Sequence, residues 1–269
     1  MEPLSREAVS PALRPLTAHR AEGSNAFNAS SSYIEATWKA LYSAVYDANY
    51  IIELMDRKAA TFPEEDQAKC EYYVAEAKAL RALLYFELVR WFGNVPLVLS
   101  TADSYKAPEE FKQADPNKVY EQIEADLNDA AEVLPYSGDT DLRSNPSFRF
   151  SKGAVLGLLT KVYATWAGYP LYAEGKWELA AETAGQVVTS NKHALLTDFV
   201  QLWKNSAENI WDPSESLIEL SYWILLAAKS MFAFLSTMHG LLPPSSKTNG
   251  VRFLEAASIT TLPISGLPV

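Results

Sequence analysis

Apolar side chains recur along the middle of the chain at steps of three and four residues, the repeat of helices that bury one face. From about Ser32 to Arg57 the stripe is Ile34, Trp38, Leu41, Val45, Ala48, Ile52 and Met55. From about Pro63 to Phe92 it is Tyr73, Ala77, Leu80, Leu84, Leu88 and Trp91. Glu64, Glu65 and Asp66 fall in the first turn of this second helix, where the helix dipole favours acids. Gly93 stops it, and Asn94-Val95-Pro96 opens an extended run, Leu97-Val98-Leu99. A third helix starts at Asp115-Pro116, an N-cap followed by Pro, and carries Val119, Ile123, Leu127, Ala130 and Leu134 before Pro135 closes it. Ser151 caps a fourth, with Val155, Leu158, Leu159, Val162 and Trp166 inward, broken at Gly168-Tyr169-Pro170. A fifth spans about Trp177 to Ser190. Beyond it come a loop, a short extended candidate at Ser216–Tyr222 and a further helix at Trp223–His239.

These helices pair up. Lys152 to Asn191 reads as one tetratricopeptide-like hairpin, with Ala180 and Ala184 as small packing residues. Residues 71–134 read as a second, with an insertion at 94–114. Spacing alone leaves two arrangements open, a stacked array of hairpins or a plain helical bundle. The fold class is mainly all-α, with short extended loop segments.

Charge sharpens this division. Of the 269 residues, 31–219 hold 29 of 33 acids and 17 of 23 bases, although the whole chain carries only −10. Seven of 15 Pro lie before residue 31 or after residue 239. The chain therefore reads as a helical middle with two ends of different character. The acidic balance offers no basic face for phosphates, so no nucleic-acid partner is expected. A single Cys excludes an intrachain disulfide framework and a Cys-based zinc site.

Catalytic patterns are sparse. His19, His193 and His239 are scattered, and no zinc-protease, phosphate-loop or nucleophile-elbow motif occurs. Asp139-x-Asp141 with Asn145 lacks the Gly and Glu of a calcium loop. Cys70 reads as a surface or boundary thiol. Gly153-x-x-x-Gly157 reads as close helix packing. Arg81 and Arg90 read as local partners of Glu76 or Glu87, with ligand binding as the alternative. Neither catalysis, a cofactor nor a metal is expected. Aromatic content is the one functional hint: Trp38, Trp91, Trp166 and Trp177 fall on or beside helical stripes and read as core. Tyr105, Tyr136, Tyr169 and Tyr172 fall in loops, where flat faces with polar tips suit amphipathic ligands such as sugars. Local packing of the same rings is the competing reading.

One stretch adds more. Ala75 to Leu97, AEAKALRALLYFELVRWFGNVPL, resembles the signature helix and turn of the SusD/RagB family of Bacteroidetes nutrient-binding lipoproteins. Trp38–Ile52, Val119–Pro135, Arg149–Gly168 and Glu215–Tyr222 resemble further family segments in the same order. The resemblance implies a helical fold with tetratricopeptide-like units. It also implies non-enzymatic capture of oligosaccharides or other nutrients at the outer-membrane surface, for delivery to a SusC-like TonB-dependent transporter. The quoted motifs are scaffold, so no ligand residue is carried over from them. Family members begin with a lipidated Cys and are longer. The expectation is accordingly an N-terminal half: residues 1–30 as an atypical tail, 31–222 as the SusD-like domain, and 223–269 as an atypical, out-of-frame or truncated segment. The alternative function is a tetratricopeptide-type protein–protein scaffold.

Overall fold

The computed structural model describes residues 32–139 and 149–218, apart from residue 209. Its helices are α1 (Ser32–Lys58), α2 (Glu64–Phe92), α3 (Pro116–Val133), α4 (Lys152–Ala167), α5 (Lys176–Thr189) and α6 (Phe199–Glu208). Short 3-10 turns occupy Ala59–Thr61, Thr101–Tyr105 and Pro108–Glu110, and among the described residues there is no strand. The five helices expected from periodicity are present. α6 is an addition to the expected helices, and Phe199, Val200 and Trp203 on it are exposed. Residues 216–218 of the extended candidate have no regular structure. Its remainder, the Trp223–His239 helix, the 1–30 tail, Asp141 and Asn145 lie outside the described residues.

The helix ends follow their sequence signals. The Asp115 carboxylate accepts from the Asn117 N–H at 2.8 Å, and the Ser151 hydroxyl from the Ala154 N–H at 3.3 Å. Gly93 ends α2 at φ +69°, with its N–H donating to Val89 O at 3.0 Å. A Cβ there would meet nothing within 4 Å, so the glycine is needed for its backbone conformation and not for space.

Helices α1 to α5 each pack chiefly on their chain neighbours, with α2/α3 and α4/α5 as extensive hairpins and a narrower α3/α4 junction between them. Among the described residues α1 shares no packed face with α5, so this is a stacked array and not a closed bundle. α2 lies between α1 and α3. Its buried positions are Cys70, Ala75, Ala77, Ala79, Arg81, Ala82, Tyr85, Phe86, Leu88 and Val89. This corrects the expected stripe: Tyr73, Leu80 and Trp91 are exposed, Trp91 by 71%. Small alanines let two helices approach closely, and Tyr85, Phe86 and Leu88 fill the rest of the buried faces. Trp177 is exposed too, whereas Trp166 is core and Trp38 is half-buried. Cys70 is buried, not at the surface. The two α4 glycines do not seat a helix. A Cβ on Gly153 would come within 2.1 Å of His193 Nε2, and one on Gly157 within 2.5 Å of a Leu217 methyl. The glycines make room for the segment after α5.

A buried polar cluster joins the first three helices. Arg81 on α2 reaches Asp126 on α3 with two bonds, Nε to Oδ2 at 2.8 Å and Nη2 to Oδ1 at 2.7 Å. Its Nη1 donates to Asn49 Oδ1 on α1 at 2.8 Å. Arg81 therefore pairs across helices, not with Glu76 or Glu87. Arg90 does pair with Glu87, at 2.9 Å. Asn49 passes the cluster on: its Nδ2 donates to Val98 O at 3.0 Å. The Tyr85 hydroxyl also donates to Val98 O and accepts from the Val98 N–H. Burial raises the Tyr85 hydroxyl to about 12, so it holds its proton for this task. The extended 95–99 run is thus pinned by side chains instead of by a neighbouring strand.

Arg81→Met is expected to lower stability by about 3–5 kcal/mol, because it strands the buried Asp126 carboxylate. Arg81→Met/Asp126→Leu is expected to cost clearly less than the single change. Denaturant melts of both variants check this, and a double variant worse than the single one contradicts it.

Candidate functional site

Tyr42, Tyr46 and Tyr50 follow one another at steps of four on α1, a line beside the Trp38–Val45 stripe. Trp38 stacks at a tilt on Tyr42, with centroids 4.8 Å apart, and meets Phe92 edge-on at 4.9 Å. The Tyr42 hydroxyl donates to Pro96 O at 2.7 Å, and burial pushes its pKa above the ordinary phenol value. Trp38, Tyr42 and Tyr46 line a cavity of about 370 Å³ together with Val45, Pro96, Val98, Ser104 and Phe111.

The Thr101–Tyr105 turn, which carries Ser104, is held by α1 as well. Glu53 accepts from both the N–H (2.8 Å) and the hydroxyl of Thr101, while the Ser100 hydroxyl caps the turn through the Ala102 N–H at 3.1 Å. These bonds, first that from the Thr101 hydroxyl, hold the Glu53 carboxyl below its usual pKa. The turn presents Tyr105, 84% exposed, close enough to raise the Tyr46 hydroxyl.

The other sequence candidates separate from this cavity. Tyr169 and Tyr172 project from the α4–α5 turn, both exposed, with ring centroids 6.1 Å apart and edge-on. Tyr172 has a left-handed φ of +49°, and its N–H donates to Gly168 O at 2.9 Å. Below the turn, Lys176 bonds both Glu124 oxygens at 2.9 Å and lies 4.1 Å over Trp166. Tyr163 donates to the same Glu124 at 2.8 Å. Tyr136 is half-buried against the core with His193 beside it at 6.1 Å, so its ring is committed to packing. Tyr105 thus stands beside Tyr46 and Ser104 without being among the residues that line the cavity, Tyr169 and Tyr172 form their own pair, and Tyr136 joins neither. Trp38, Tyr42, Tyr46 and Phe111 escaped the sequence reading as site residues. The four-residue tyrosine spacing on α1 was the signal for two of them.

The cavity offers flat apolar faces with hydroxyl tips at Tyr46 and Ser104, a surface suited to holding a ring. Among the described residues, no three His, Cys, Asp or Glu side chains are grouped to hold a metal. No described helix is long and apolar enough to cross a membrane.

Comparison with known proteins places the fold. A family described as "Starch-binding associating with outer membrane", SusD-like, matches residues 15–164, and the chain belongs to it. A SusD-like protein of Bacteroides ovatus is 28% identical over 196 residues, 72% of this chain and 33% of the relative. A crystal structure of a SusD homologue from Bacteroides thetaiotaomicron superposes with a TM-score of 0.71 at 52% identity, covering 72% of this chain and 36% of that one. A laminarin-binding SusD-like protein superposes with a TM-score of 0.53 at 34% identity, covering 68% and 36%. The chain thus spans about a third of the length of these relatives.

Glu53→Ala is expected to release the Thr101–Tyr105 turn. Because the folded carboxyl titrates below its unfolded value, its hold is present above the ordinary carboxylate range and is lost as pH falls through the lowered pKa. The protection factor of the Thr101 amide, its exchange rate relative to the intrinsic rate at the same pH, should fall in the variant at neutral pH, and in the wild type only on acidification. Unchanged protection in the variant contradicts this.

Proposed function

We propose that this chain contributes to non-enzymatic capture of glycans at the outer-membrane surface, with hand-over to a SusC-like TonB-dependent transporter. Residues 31–222 form the family domain in this reading. The observation that carries it is the aromatic-lined cavity, with the exposed Tyr105 beside two of its lining residues, Ser104 and Tyr46. Family membership and the laminarin bound by a relative supply the ligand class. Capture rests on ring stacking and on hydroxyl contacts from Tyr46 and Ser104. No covalent step is involved. The Tyr169–Tyr172 pair offers a further exposed aromatic face on the same array.

A second reading, a tetratricopeptide-type scaffold for a protein partner, is favoured by α6, where Phe199, Val200 and Trp203 are all exposed. Affinity electrophoresis in gels containing laminarin or starch separates the two. The glycan reading predicts retardation of the wild type. Tyr105→Ala should weaken it by about two- to tenfold in Kd, the loss of one stacked ring worth about 0.5–1.5 kcal/mol. Tyr169→Ala measures the share of the α4–α5 turn. Unretarded wild type that still co-purifies with a transporter supports the scaffold and contradicts capture.

A further inference from the structure

A second cavity, of about 490 Å³, opens between α1, α2 and the residues leading into α4. Its volume falls in the range of roughly 300–1,000 Å³ common to small-molecule sites. Met55, Leu80 and Phe150 give it an apolar floor, and one side is polar, built from Tyr73, Glu76 and Arg149. Arg149 Nε donates to Glu76 Oε1 at 3.0 Å and Nη2 donates to Oε2, a forked pair that fixes both groups. The guanidinium lies 5.5 Å from the centre of the Tyr73 ring. Tyr73 is 44% and Leu80 38% exposed, so a ligand reaches them without displacing the core.

We propose that this cavity is a second glycan contact. It takes one pyranose ring of an oligosaccharide, with the apolar ring face on Leu80 and Tyr73 and neighbouring hydroxyls against Glu76 and Arg149. The inference rests on the glycan reading above. A sugar ring is apolar on its faces and ringed by hydroxyls that both donate and accept. The floor supplies the first need. A carboxylate that accepts beside a guanidinium that donates supplies the second. The first cavity, walled by Val45, Pro96, Val98 and Phe111, has no charged side chain in its lining. Each hydroxyl buried there without a partner costs about 1–3 kcal/mol. The two cavities therefore meet hydroxyls differently, the first through the neutral Tyr46 and Ser104 hydroxyls, the second through a charged carboxylate and guanidinium.

The test is calorimetric titration of the full chain with laminarin oligosaccharides and with starch oligosaccharides. Wild type, Tyr73→Ala, Tyr73→Phe, Leu80→Gln and Tyr105→Ala are compared, each with its thermal midpoint. Tyr73→Ala and Leu80→Gln are expected to raise Kd by about two- to tenfold. Tyr73→Phe, which keeps the ring, should bind as wild type does. If wild type binds, Tyr105→Ala weakens binding, and neither Tyr73→Ala nor Leu80→Gln does, the second contact is overturned and the general reading stands. If wild type binds neither glycan, the general reading fails and takes this one with it. Should Tyr73→Ala lower the midpoint, Leu80→Gln alone decides.

Discussion

The bidentate pair between Arg81 and Asp126 is the contact around which the first half of the array is organised. Both side chains are nearly inaccessible, at 7% and 3% exposure, and they join α2 to α3 at the middle of the most extensive helix contact. A buried ion pair adds little net stability compared with apolar side chains of the same size. Its contribution here is register. The guanidinium fork admits one geometry, and its remaining donor fixes Asn49 on α1. Gln122 adds a bond to the same Asp126 at 3.0 Å. Through Asn49 and Tyr85 the cluster then sets the 95–99 run, which has no partner strand to hold it. The wall of the aromatic cavity formed by Pro96 and Val98 follows from that placement.

The same logic repeats in the second hairpin on a smaller scale. Lys176 stands between Glu124 and the faces of Trp166 and Tyr163, so α3, α4 and α5 meet around one cation. Burial, with the Glu124 bond next, raises the Tyr163 hydroxyl to about 12 and keeps it a donor. The turn that bears Tyr169 and Tyr172 is carried on this base. The Tyr169–Tyr172 pair thus sits on a part-buried polar anchor, as the wall of the aromatic cavity sits on the buried one.

Much of the scaffold was legible in the sequence. Capping residues at Asp115 and Ser151, the stop at Gly93 and the inward residues of α1, α3 and α4 all follow from local rules. α2 was legible as a helix but not in its facing, because a helix packed on two sides has no single stripe, and alanines mark its contacts. Arg81 could not be assigned from sequence, since its partners lie 32 and 45 residues away. The site was less legible. Tyr105 stands out in the sequence as a loop aromatic, whereas Tyr42 and Tyr46 look like ordinary helix residues until the 94–114 insertion folds back over them. Tyr136 looked equally available, and only the arrival of His193 from the segment after α5 shows why it is not.

If the polar cluster governs the position of the extended run, the Val98 amide must be protected as part of the core, although it belongs to a segment outside any helix. Native-state hydrogen exchange at increasing denaturant measures this directly. The expected result is that Val98 exchanges only through global opening, with the same free energy and denaturant slope as the slowest amides of α2, such as Leu88. Exchange of Val98 by a local, denaturant-independent opening, as for an exposed turn amide such as Lys106, would contradict the account.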